Sequence, residues 1–398
     1  MKSEWGKVNL GDVCDLIPGF AFKSKDFGSH PTKVVKIGDI QPPRVAIDCL
    51  EGVNLSSYSP NKLEKYLVTK GDFVLAMTGA TIGKLGRFLA DKPAYINQRV
   101  LRFKPKENVD WNFIYYVVNT KDFSGFVYNH IDSETAQPNI SAGTLATFSF
   151  SIPPLPIQRK LASILSALDD KIETNNAICR NLEELMESMY NKLFVENYNS
   201  EWTQGTISDL GRIVGGGTPS KKEPSYYTQQ GISWITPKDL SRNTAKFIQR
   251  GEVDITQEGL NASGATIMPA GTVLFSSRAP IGYMAIACND VTTNQGFKSV
   301  IPHDFVGSAY LYYFLKANKN AIEMRASGST FLEVSAGIMR QVPAIIPDKS
   351  TLDIFKHFCN PLFEMQRKLE TETVSLSQLR ESLLPKLMSG ELSIDALN

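Results

Sequence analysis

Two stretches of the chain place residues at alternating intervals of four and three, most of them apolar. Leu161, Leu165, Leu168, Ile172, Asn175, Cys179, Leu182, Met186, Met189 and Leu193 form the first series. Phe355, Cys359, Leu362, Gln366, Leu369, Thr373, Leu376, Arg380, Leu383 and Leu387 form the second. This spacing keeps one seam along a helix and predicts a coiled coil. Asn175 is the only strongly polar member of the first seam; it either fixes the register or faces solvent at a helix end. The second seam is less clean, and Leu379 is an alternative to Arg380. Pro361 and Pro385 predict a break or kink near the first and a disturbed last turn at the second. At about 1.5 Å per residue, some 35 residues make a rod of roughly 50 Å. The simplest way to bury both seams is to pair the two helices antiparallel, since a whole globular segment lies between them. The alternative is that each helix packs only on its own globular segment.

Outside the seams the pattern changes to short apolar or β-branched runs between Gly, Pro and Asp. Strands are predicted over residues 34–37, 73–76, 99–103 and 272–275, and helices over 111–119 and 309–318. These elements recur. Trp5, Asp12 and Gly19 return 197 positions later as Trp202, Asp209 and Gly216, and Asn97-Gln98 returns as Asn294-Gln295. The segment from Gly71 to Gly83 is echoed from Gly271 to Gly282, and Tyr115-Tyr116 by Tyr312-Tyr313. From Ser141 and Ser335 onward the offset is 194, and it holds to Leu193 and Leu387. The chain is therefore an internal repeat of an α+β head followed by a long helix. The boundaries are a first head at 1–157, a central helix at 158–198, a second head at 199–350 and a C-terminal helix at 351–398.

Composition excludes several classes. No apolar run approaches the roughly 20 residues that span a bilayer, and the N-terminus lacks an apolar signal stretch, so a cytoplasmic protein is expected. The five cysteines are scattered without a C-x-x-C pair, and Cys179 and Cys359 lie in the seams, which favours reduced packing residues over metal ligands. The net charge of +1 is distributed unevenly: +3 and +2 on the two heads, and −2 on each helical segment. Mildly basic heads on acidic helices permit a polyanionic ligand.

Catalytic motifs fail on inspection. Gly79–Gly83 followed by Lys84 lacks one residue of the phosphate-loop spacing and has Leu85 in place of the magnesium-binding hydroxyl. Gly215-Gly-Gly217-Thr-Pro219 does not match a dinucleotide fingerprint and reads as a mobile loop. Asn360-Pro-Leu-Phe363 approaches the N-P-P-[YF] motif of amino-methyltransferases but falls inside the second seam, and is read as coincidence. His30, His130, His303 and His357 are too far apart in sequence for a metal or triad cluster.

What remains is polar and follows equivalent strands. In the first head these residues are Thr78, Thr81, Lys84 and Arg87, and in the second Ser276, Ser277 and Arg278. Arginine and lysine read guanine or bind phosphate, and asparagine and glutamine pair with adenine. Asn97-Gln98 and Asn294-Gln295 are shared by both heads and fit a scaffold role better than a reading role. The basic residues that the heads do not share are better contact candidates: Lys23, Lys25, Arg44, Lys84 and Arg87 against Lys221, Lys222, Lys238, Arg242 and Arg278.

In these motifs and their order, the chain resembles the specificity subunits of Type I restriction-modification enzymes over essentially its whole length. The resemblance rests on the paired Gly71–Gly83 and Gly271–Gly282 segments and on the turns Ile37–Ile40 and Pro237–Leu240. It rests also on Ile152–Arg159 leading into Leu165–Ile172, on Lys192–Val195 and on Leu383–Leu392. It implies two target-recognition domains, each reading half of a split double-stranded DNA sequence, joined by two antiparallel coiled-coil helices with pseudo-two-fold symmetry. The implied partners are two methyltransferase subunits and a restriction/translocase subunit. S-adenosylmethionine, ATP and magnesium would be bound by those partners, with no cofactor, no metal and no catalytic residue in this chain and no membrane contact. At Asp348-Lys-Ser-Thr351 the family's usual Pro-Leu with a following Glu-Gln is missing, which puts partner contact there in doubt. The competing class is a two-headed protein-binding adaptor with a coiled-coil spacer. Salt separates the two, because DNA binding weakens steeply with added salt and an apolar protein interface does not.

Overall fold

The computed structural model describes residues 5–132, 138–242, 245–278, 280–328 and 332–392. The chain divides into two compact units, Met1–Lys171 with Leu376–Asn398, and Ile172–Ser375. Each unit holds one head together with a length of both long helices, Leu155–Tyr190 and Lys349–Met388.

The first unit is built on a six-stranded sheet. Its order is Cys14–Pro18, Val100–Pro105, Phe73–Ala76, Leu85–Arg87, Arg44–Val45 and Ile40–Gln41. Residues 73–76 are all buried, because alternate side chains enter different cores. Phe73, Leu75, Leu101 and Phe103 pack with the helices Trp111–Val117 and Lys121–Asn129, the Phe73 and Phe103 rings stacking at 5.0 Å. Val74, Ala76 and Val100 join Val35, Val68 and Ile96. Those three come from a four-stranded sheet ordered Glu51–Val53, Phe27–Val35, Ala94–Ile96 and Leu67–Val68. Gly6–Asn9 and Ser149–Ile152 form a separate antiparallel pair.

The second unit repeats this plan. Its larger sheet runs Gly211–Gly215, Lys298–Pro302, Val273–Phe275, Met284–Ala287 and Phe247–Ile248. Its smaller one runs Tyr227–Thr228, Val253–Ile255, Ile232–Ile235 and Thr292–Thr293. Val273 and Phe275 face one core and Leu274 the other, as Phe73, Leu75 and Val74 do in the first unit.

The repeated glycines and aspartates have repeated causes. Gly71 and Gly271 have φ of +97° and +87°, and Gly83 and Gly282 of +80° and +86°. A Cβ is strained there, so both copies need glycine. The strand predicted over 34–37 stops at Val35 because the Asp39 carboxylate accepts the Lys36 amide at 2.8 Å and turns the chain. Asp239 accepts the Thr236 amide at the same distance in the second head.

Both predicted seams are real: every one of their positions is buried or half-buried. In the first unit Leu161, Leu165 and Leu387 share one core, and Arg380 donates to Asp169 at 2.8 Å. In the second, Leu182, Met186 and Tyr190 pack with Leu352, Phe355, Cys359 and Phe363. There Asn175 meets Glu372, and Cys179 meets Gln366. Partner numbers fall as seam numbers rise, so the segments in each unit are antiparallel. Asn175 is fully buried and donates to Glu372 at 2.8 Å, which makes it a register contact and excludes the solvent-facing alternative. Arg380 keeps its seam place, and Leu379 is exposed.

The break expected at Pro361 and the disturbed turn at Pro385 do not occur, since Lys349–Met388 is one continuous helix. Proline removes a single amide donor. Here buried Cys359, Phe363 and Leu387 hold the turns around each proline.

Candidate nucleic-acid interface

In the first head, Lys23 and Lys25 are exposed on the short turn Ser24–Asp26. That turn is tied down by Tyr58, whose hydroxyl accepts the Lys23 amide at 3.0 Å and donates to Asp26. Tyr58 in turn packs edge-on against Phe20 and Phe22, each 5.5 Å away. The two lysines thus project from a rigid aromatic base. Lys84 is exposed in the turn after the second glycine of Gly79–Gly83.

The other candidates of the first head are half-buried or buried. Arg87 pairs with Arg44 across adjacent strands, donates to Asn112 at 3.0 Å, and lays its guanidinium 3.8 Å from the centre of the Tyr115 ring. Thr78 is buried and begins the turn Gly79–Thr81, and the Thr81 hydroxyl donates back to the Thr78 carbonyl. Thr78 therefore belongs to the interior, and this corrects its place among the surface candidates.

In the second head, Lys221 and Lys222 are exposed. The preceding glycine run is packed, contrary to the mobile loop expected. The Gly217 amide donates to Thr293 at 2.9 Å and its carbonyl accepts the Trp234 indole at 3.0 Å. A Cβ on Gly216 would lie 2.0 Å from the Asn294 carbonyl oxygen, so only glycine fits. Lys238 and Arg242 both pair with Glu252, at 2.8 and 3.2 Å. These two cations hold the Glu252 carboxyl below its ordinary value.

Ser276 and Ser277 are completely buried. The Ser276 hydroxyl donates to the Pro280 carbonyl and accepts the Tyr283 amide, both at 2.8 Å. Ser276 thus closes a turn and the Ser277 hydroxyl accepts the Lys298 ammonium at 3.4 Å, so neither is a surface reader, a second correction. Arg278 donates to Glu333 at 2.9 Å, and Lys298 to the same carboxylate at 3.0 Å. Burial raises the Glu333 carboxyl, but the two cations outweigh it and leave its value lowered. The paired asparagines serve turns: Asn97 accepts the Gln98 amide and Asn294 the Gly296 amide, each at 2.9 Å.

Sequence reading missed the seats of the heads on the helices. In the first unit the Tyr116 hydroxyl donates to Asp169 at 2.6 Å, and Arg380 clamps the same carboxylate. In the second, Lys246 has a side chain only 3% exposed, pairs with Glu183, and donates to the Tyr313 hydroxyl at 2.9 Å. Lys316 reaches Glu183 and Glu187 at 2.8 and 2.9 Å. Glu370 accepts the amides of Lys246 and Phe247. Burial pushes Lys246 down from its ordinary value, with Glu183 opposing. Burial would push Glu183 up, but Lys246 and Lys316 outweigh it and its value is lowered. Burial raises Glu370. The repeated Tyr-Tyr pairs were the visible signal for these joints; their charged partners carry no sequence mark.

Among the described residues no group of three His, Cys, Asp or Glu side chains could hold a metal, and no helix is long and apolar enough to cross a membrane.

A family model described as the Type I restriction modification DNA specificity domain matches residues 2–184 and again 199–372. Over 163 residues the chain is 40% identical to the Type I restriction enzyme MjaIX specificity subunit of Methanocaldococcus jannaschii, a match that covers 40% of this chain and 38% of that protein. It is 21% identical to the HindI specificity subunit of Haemophilus influenzae over 98% of this chain and 100% of that one. The crystal structure of a Type-I restriction-modification system S subunit from M. genitalium has the same fold, with a TM-score of 0.64 at 16% identity over 97% of this chain and 96% of that one.

Proposed function

The chain belongs to the Type I restriction-modification DNA specificity family and is a non-catalytic DNA-recognition subunit, and we propose that it reads a bipartite, asymmetric target with one half-site per head. The observation that carries this reading is a shared scaffold with a basic surface that the two heads share only in part. Asp39 and Asp239, Asn97 and Asn294, and the paired left-handed glycines play the same parts in both heads. The exposed lysines correspond only in part: at the offset of Gly19 and Gly216 Lys25 falls on Lys222, but Lys23 falls on Ser220, and Lys84 after Gly83 is matched by Tyr283 after Gly282. Lys23, Lys25 and Lys84 would approach phosphates and bases from the first head, and Lys221 and Lys222 from the second. Arg44, Thr81, Arg87, Lys238, Arg242 and Arg278 are secondary candidates, because they are half-buried or already engaged.

In this reading residues 1–157 and 199–350 are the target-recognition domains. Residues 158–198 and 351–398 are spacer helices that set the distance between half-sites and bind partners. Those partners are two methyltransferase subunits carrying S-adenosylmethionine, and a restriction/translocase subunit that uses ATP and magnesium, all in the cytoplasm.

The test is to co-express the chain with its methyltransferase subunit and map methylated adenines across a genome. A split, asymmetric motif, one half of which changes when one head is exchanged, supports the proposal. An undivided motif, or one indifferent to head exchange, sinks it. Inserting residues into both helices should lengthen the spacer without changing either half-site.

A further inference from the structure

The first head contains a basic hollow that the surface candidates do not include. It has a volume of about 760 Å³ and is lined by Lys62, Lys65 and Lys104. Lys62 and Lys65 stand at the end of the short helix Pro60–Leu63 and in the turn Glu64–Tyr66 that follows, and Lys104 on the strand Val100–Pro105. All three are exposed. The Lys62 and Lys104 ammonium groups make no hydrogen bond or ion pair with any described residue, and the Lys65 ammonium lies 4.9 Å from the centre of the Tyr66 ring. Arg102 also lines the hollow; it pairs with buried Asp72 at 3.1 Å, donates to the Leu67 carbonyl at 2.6 Å, and keeps a buried Nε without a partner. With the Arg102–Asp72 pair neutral, three lysines face one acid, Glu64.

The fold alone does not require this cluster, because the second head does without it. The helices Pro60–Leu63 and Gln257–Asn261, preceded by Ser59 and Thr256, stand 197 positions apart, as do Asn97 and Asn294. At that offset Lys62, Lys65 and Lys104 become Gly259, Ala262 and Ile301, and Arg102 becomes the fully buried Ser299. Like charges gathered in a concave surface repel one another and concentrate positive potential, which costs stability unless an anion takes it up.

We infer that this hollow holds the sugar-phosphate backbone of double-stranded DNA, as an anchor that the first head has and the second lacks. The inference rests on the DNA-reading role proposed above. It adds that the grip on the duplex is asymmetric: the first head holds phosphates here in addition to the bases it reads. Lysine suits this task, since a compact charge on a flexible stem meets a phosphate without fixing base identity.

The experiment uses the chain assembled with its methyltransferase subunits and a duplex carrying the mapped target, with affinity measured across a salt series. The K62Q/K65Q/K104Q variant should bind more weakly and flatten the log–log salt slope by about 2 to 3, since each phosphate contact contributes roughly 0.9. The methylated motif should stay the same. Backbone-cleavage footprinting should lose protection at the first head's half-site alone. A triple variant with the parental slope and footprint overturns the inference. If the triple variant melts abnormally, K104Q alone should flatten the slope by about 1, and an unchanged slope there also overturns it. If the parental complex shows no target at all, the DNA-reading role itself fails, a result distinct from failure of the hollow.

Discussion

Replacing Glu183 by Gln removes the carboxylate that neutralises Lys246 and Lys316 at the seat of the second head. The Lys246 side chain is 3% exposed and that of Glu183 23%, so water compensates little. The ammonium would be left near the rings of Tyr312, Tyr313 and Phe363, at 5.1, 4.9 and 4.6 Å from their centres. Breaking a buried pair from one side costs about 3–5 kcal/mol. Glu370 remains close and can take up part of the charge, which places the expected loss near the lower end, about 3 kcal/mol. For a unit of this size that corresponds to a fall in melting temperature of roughly 6–12 °C.

The assay is thermal and urea unfolding of the full chain, followed by fluorescence and circular dichroism. The double variant E183Q/K246M removes both charges and fills the space with an unbranched apolar chain; it should recover most of the loss. If E183Q melts within a degree or two of the parent, the pair is not the seat of the second head. If the double variant is no better than E183Q, the cost comes from packing and not from a stranded charge.

Asp348 accepts the amide and hydroxyl of Thr351 and the indole of Trp202, so D348A should cost about 1–2 kcal/mol, read by urea unfolding. Hydrogen bonds from Ser350 and Thr351 hold its carboxyl below the ordinary value. Its ionised contribution is therefore complete above about pH 4, the ordinary carboxylate value, and disappears as pH falls through the lower folded value. The stability gap between parent and D348N should close in acid in that order, and a gap that widens on acidification refutes the assignment. K221Q/K222Q should flatten the salt slope of DNA binding by about 2 and leave melting unchanged; an unaltered slope removes both lysines from the interface. S276A should do the opposite, costing about 1–3 kcal/mol through the stranded Tyr283 amide and Pro280 carbonyl while leaving the methylated motif intact, as methylome mapping would show.

The repeat, the two seams and the paired turns are written in local residue types. A left-handed glycine, an aspartate that caps the next turn and an apolar residue every third or fourth position act over distances shorter than one turn or seam. Gly83 and Gly282, Asp39 and Asp239, and Leu161 through Leu193 could be read for that reason. Pro361 misled because a local rule was applied where packing by Cys359 and Phe363 outweighs it. Ser276 and Ser277 misled for a related reason: a hydroxyl beside a strand looks the same in sequence whether it faces water or closes a turn.

Residue types and their spacing establish that the chain is two diverged copies of a head and a helix, with seams that must be buried and a scaffold common to both heads. Which charges neutralise each other is set by the folded chain, since Lys246, Glu183 and Glu370 meet across more than sixty residues. The fold likewise sets which lysines gather around one hollow. Both outcomes depend on where distant backbone segments are brought together, and no local pattern of residue types encodes that distance.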